Sequence, residues 1–175
     1  MNEFQNTACR HFDFLCSRYG FRSTVISPAH VRYESDKVFF DITSDVRDGI
    51  CVDFGRFNKP GIVQQQKQER LSLDTFLAAI RTQEGTFRRE AFQRSSSPEF
   101  FDRILRELAA GLSELGRGLI VADEQLYLCV RELRFWHVGE WTERWGTTIV
   151  LSADEIRRQR QLVPDILNLI HGTAA

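Results

Sequence analysis

The chain has 175 residues, 23 basic and 24 acidic side chains, and a formal net charge of −1. That length fits a single domain, and a 42% hydrophobic content with 14 Phe is too apolar for disorder. No apolar run reaches the roughly 18 residues a membrane-spanning helix needs, and the near-zero charge gives no general pull toward nucleic acid or membrane.

Met1-Asn2-Glu3-Phe4-Gln5 lacks the cationic and apolar segments of a secretory signal, so the expected location is the cytoplasm. Cys9, Cys16, Cys51 and Cys129 fit reduced thiols in such a compartment. The 20 Arg against 3 Lys favour planar, paired recognition of carboxylates.

In chain order, residues 3–19 read as a helix. Phe4, Ala8, His11, Phe12, Leu15 and Tyr19 recur at spacings of three and four, Gly20 follows as the helix stop, and Phe21 folds back onto the last turn. Three strands follow, at 30–34, 37–46 and 50–54, each alternating with period two. Pro28 is expected to keep the first of them from starting earlier. A two-residue loop at Ser35-Asp36 would pair Glu34 with Lys37, Tyr33 with Val38 and Val31 with Phe40. A three-residue loop, Arg47-Asp48-Gly49 with Gly49 left-handed, would pair Val46 with Ile50. Both turns put Val31, Tyr33, Val38, Phe40, Ile42, Ile50, Val52 and Phe54 on one face.

The polar run 64–70 reads as a loop or an exposed helix. Ser72 then caps a helix carrying Leu73, Phe76, Leu77 and Ile80, with Leu71 and Phe76 as a staple. A weak helix is expected at 87–92. The break at 94–98 separates a strand-bearing part, about 1–82, from a helical part, about 97–175. Ser97-Pro98-Glu99 opens a helix whose stripe runs from Phe101 to Leu115. Leu126, Val130, Leu133 and His137 have helical spacing behind a cap at Asp123. Residues 147–151 read as a short strand, and Ser152 to Glu155 as a capping box for a last helix that Pro164 kinks or splits. The fold class is α+β in one domain: an N-terminal helix, a three-stranded antiparallel meander, and a mostly helical C-terminal half on one sheet face.

The familiar catalytic signatures are missing: no phosphate loop, no His-Glu-x-x-His, no nucleophile elbow. Cys9, His11 and Cys16 share a helix without a Cys-x-x-Cys pair, so core packing is the favoured reading; no metal and no cofactor are expected. The reverse side of the sheet would carry Asp41, Thr43, Asp45, Cys51 and Asp53, with His30 across from Asp41 as a pH-sensitive pair. Phe39 breaks that polar pattern beside Arg32, and Phe57 joins it if the strand continues. An exposed aromatic among charges is an interface anchor; the alternative is that a later helix covers this face and leaves both sides of the sheet buried. The candidate partner-binding residues are therefore Arg32, Phe39, Asp41, Asp53 and Arg56 on this face, with Trp136, Trp141 and Trp145 in the aromatic segment 134–145.

The run Tyr19-Gly20-Phe21, then Val31 to Ser35 and Asp45 to Val52, resembles bacterial α+β proteins with a helix–meander start, some of them similar to immunity proteins of polymorphic toxin systems. The resemblance covers about the first third of the chain. It implies a stoichiometric inhibitor of a cognate toxin, with no catalytic residues. The expected function is thus non-enzymatic protein binding, as a monomer or homodimer. Two alternatives stand beside it. One is a hydrolase or nuclease using His30, Asp41 and Asp53. The other is nucleic-acid binding through Arg88-Arg89 and Arg157-Arg158-Gln159-Arg160, against which the net charge speaks.

Overall fold

The computed structural model describes residues 1–45, 49–57, 71–82, 97–132 and 153–172. Helix α1, Glu3–Tyr19, begins on a cap that the side-chain pattern left unremarked: Gln5 N donates to Asn2 Oδ1 at 2.9 Å and Asn2 N donates to Gln5 Oε1 at 2.8 Å. That reciprocal box satisfies amides that have no intrahelical partner. Gly20, at φ 72°, ends the helix, donating to Cys16 O, while Phe21 N reaches Leu15 O at 3.1 Å. The left-handed turn is open to glycine at no steric cost.

Among the described residues five strands follow in sequence order and lie in the same order in one antiparallel sheet: β1 Arg22–Ser27, β2 His30–Glu34, β3 Val38–Asp45, β4 Gly49–Arg56 and β5 Leu71–Ser72. The central three are the expected meander. Strand β1 is an addition: Pro28 sits in the tight turn between β1 and β2, where it ends one strand and precedes another.

The register differs from the expected one by two residues in both hairpins. Glu34 pairs with Phe39, Tyr33 with Phe40 and Val31 with Ile42. The cause is Ser35, whose Oγ accepts from Lys37 N at 3.3 Å and Val38 N at 3.2 Å, while Ser35 N donates to Val38 O. A serine turn of this kind widens the loop. In the second hairpin Asp45 pairs with Gly49 and Phe40 with Phe54. Gly49 is left-handed at φ 71°, as expected. A shift of two preserves the alternation, so the eight predicted apolar side chains all lie buried on one face.

The helices are α2 Leu73–Thr82, α3 Pro98–Leu115, α4 Arg117–Ile120, α5 Glu124–Glu132 and α6 Ala153–Gly172. Ser97 Oγ accepts from Phe100 N, and Asp123 Oδ1 from Leu126 N at 2.8 Å, so these two expected caps form, while Ser72, expected as a cap, is the last residue of β5 immediately before α2. Pro164 lies inside α6, which continues through it and is not split. The apolar sheet face meets α1 through Phe12 and Tyr33, rings 6.2 Å apart, and α5 through Phe54 and Tyr127, edge to face at 5.7 Å. Phe4 on α1 meets Phe101 on α3. The α+β arrangement is therefore as the periodicity implied. The readings at 64–70, 87–92, 133–138 and 147–152 lie outside the described residues.

Candidate functional site

Alternation sends His30, Arg32 and Glu34 of β2, Phe39, Asp41 and Thr43 of β3, and Cys51 and Asp53 of β4 to the reverse side of the sheet. Cross-strand pairing lines up Thr24, Arg32, Asp41, Asp53 and Ser72 in one row. Arg32 donates from Nε to Asp41 Oδ1 and from a terminal nitrogen to Oδ2, both at 2.7 Å. His30 Nε2 lies 2.7 Å from Oδ1. The expected His30–Asp41 contact exists, but diagonally, because Thr43 is the residue opposite His30. Burial pushes the Asp41 carboxyl up; the bonds and charges of Arg32 and His30 outweigh that, and the group ends below its ordinary range. The same bonds raise Arg32.

Phe39 is a correction. It was expected as an exposed anchor, and it is fully buried. The Arg32 guanidinium sits 4.9 Å over its ring, and Phe57 packs 5.4 Å away, as its position after β4 suggested. The face is thus held together internally by a cation–π contact and a two-bonded ion pair. Arg56 is a second correction: it pairs with Val38 on the opposite face, lies over Tyr127 at 5.7 Å and reaches Glu124 at 3.8 Å. Trp136, Trp141 and Trp145 lie outside the described residues.

For the hydrolase reading, Asp41 and Asp53 do stand directly opposite each other, with His30 on Asp41. Asp41, however, has no solvent exposure and has both oxygens bonded to cations. A carboxylate so placed lacks the access a general base needs. No group of three metal-ligating side chains occurs among the described residues. Burial raises the Cys16 and Cys129 thiols, which lowers their thiolate fraction. Of the basic cluster on α6, Arg157 is engaged by Asp154 and Arg158 by Glu132, each at 3.1 Å; Arg88 and Arg89 lie outside the described residues.

Two further features have no counterpart in the sequence reading. An open groove of about 870 Å³ lies between α1 and α3, with Arg10, Arg103 and Arg106 facing Glu3, Glu99 and Asp102. Its charges balance, and Asp102 is occupied by Arg10 at 2.6 Å and His11 at 2.8 Å. The other is β1, exposed at all six positions. Arg22 is 81% exposed, Val25 45% and Ile26 53%. Thr24-Val25-Ile26 is a β-branched triplet, the one signal that marks this stretch as a strand. Compared with protein-family models, curated proteins and solved structures, the chain matches none. No described helix is long and apolar enough to cross a membrane.

Proposed function

We propose that the protein is a non-enzymatic, cytoplasmic protein-binding module, an immunity-type protein that neutralises a cognate bacterial toxin by direct contact. The observation that supports this reading is the exposed strand β1 at the edge of the sheet. Natural sheets shorten, charge or cover their edges, because unpaired backbone groups there invite another chain. Here no strand among the described residues covers a six-residue edge, and Val25 and Ile26 lie at the surface. On the reverse face the Arg32–Asp41 pair ties β2, the neighbour of β1, to β3.

The test is native mass spectrometry of the tagged protein isolated from the cells that express it, with the wild type beside Val25→Lys. A stoichiometric protein partner that the lysine variant loses supports the reading. The absence of any such partner overturns it, and equal recovery with both forms removes β1 from it.

A further inference from the structure

Strand β1 pairs with β2 along one edge, from Arg22 opposite Glu34 to Val25 opposite Val31, and no strand lies along its other edge among the described residues. In an antiparallel pair, successive residues turn their backbone N–H and C=O alternately toward the neighbour and away from it. The outer edge therefore offers donors and acceptors along Arg22 to Ile26, the carbonyl of Ser27 being already bonded by Gln5 Nε2 at 3.1 Å. It has no proline and no lysine within it.

The side chains along the ladder set the chemistry of what it accepts. Arg22 stands at the start; Glu34 takes one of its amino groups at 3.1 Å, and the guanidinium stays largely exposed. No acidic residue occurs on β1. The ladder is irregular between Val25 and Ser27, where Ile26 bulges out. Two copies of β1 related by a two-fold axis would bring both bulges into the pairing and leave Arg22 without an acid on the facing strand. A separate extended segment meets one bulge and not two, and can carry an acid opposite Arg22.

Resting on the function proposed above, we propose that the outer edge of β1 takes an extended segment of the partner protein as a sixth strand, with a carboxylate of that segment on Arg22 and an apolar side chain beside Val25. Backbone bonds then give affinity, and the two side-chain positions give selectivity.

The experiment uses the full chain labelled with ¹⁵N and three capped hexapeptides of alternating valine and threonine: one ending in glutamate, one ending in lysine, and one carrying the glutamate with alternate amides N-methylated. The glutamate peptide shifts the amide signals of Arg22–Ser27 and slows their exchange. The methylated peptide does neither. The lysine peptide binds about tenfold more weakly to the wild type, and Arg22→Glu reverses that preference. Shifts elsewhere, no shifts, or no reversal overturn the proposal. Protection of β1 that grows with protein concentration alone also overturns it, in favour of a second copy. The absence of any native partner, beside a working peptide response, sinks the function reading and leaves the edge chemistry standing, whereas a native complex that survives Val25→Lys places the partner elsewhere and overturns the proposal. Val25 is 45% exposed, and an unchanged urea midpoint shows that the variant still folds.

Discussion

Arg32 holds Asp41 by two parallel bonds of 2.7 Å while its guanidinium lies 4.9 Å over the ring of Phe39. One side chain thus closes the reverse face over a carboxylate and an aromatic ring that are both fully buried. Removing one member of a buried pair leaves the other uncompensated, so Asp41→Asn is expected to cost about 3 kcal/mol in urea denaturation. The loss depends on pH. The folded-state carboxyl lies below its ordinary range, so its contribution is present above about pH 4 and disappears as pH falls through the lower folded value. The wild type loses stability along that acid limb faster than Asp41→Asn. Parallel acid limbs for the two proteins would show that the pair contributes nothing.

Between the helices, Asp102 joins α3 to Arg10 and His11 of α1. The bond from His11, then the charges of His11, Arg10 and Arg106, hold its carboxyl below the ordinary range against some desolvation. A carbon-detected NMR titration of Asp102 should have its midpoint below that of a model aspartate. In His11→Leu the midpoint should rise, yet stay low, because Arg10 and Arg106 remain. An unmoved midpoint would place the arginines, and not His11, as the cause.

What the sequence made legible follows from parity. Val31, Tyr33, Phe40, Ile42, Val52 and Phe54 declare their face by alternation, and alternation survives a register error of two residues. The pairing itself was not legible, because the Ser35 hydroxyl bonds that widen the first turn leave no mark in the hydrophobic pattern. Strand β1 was missed because an edge exposed on both sides has no reason to alternate. Phe39 was placed on the right face with the wrong exposure: period two reports direction, while burial depends on what Arg32 and Phe57 do in three dimensions. Arg56 was assigned to the reverse face against its own parity, and the structure restores it to the side of Val38.

At Gly111, α3 packs against Leu77 of α2. A Cβ there would lie 2.5 Å from Leu77 Cδ1 and 3.0 Å from Cδ2. Leu77 is buried and has little room to turn. Alanine would favour the helix by about 1 kcal/mol, but crowding a packed core costs about 1–3 kcal/mol. Gly111→Ala is therefore expected to lose about 1 kcal/mol net in thermal or urea unfolding. A gain in stability would mean that Leu77 repacks without strain.

Ala122 is the one described residue other than glycine with a positive φ, at 63°. It is trapped there by its neighbours. Asp123 N closes the end of α4 onto Gly118 O at 2.8 Å, while the Asp123 carboxylate already caps α5 at Leu126 N. The chain must leave one helix and enter the next within three residues, Val121 to Asp123, and a left-handed residue between the two caps allows both bonds. An L-residue pays about 1–2 kcal/mol for that conformation, whereas glycine does not. Ala122→Gly should therefore raise stability by about 0.5 kcal/mol, the relief being partly offset by the greater freedom of glycine in the unfolded chain. Ala122→Val, β-branched at the same φ, should lower it. The pair of urea midpoints decides the matter: if glycine destabilises, the small contact of the Ala122 methyl with the core outweighs the backbone strain.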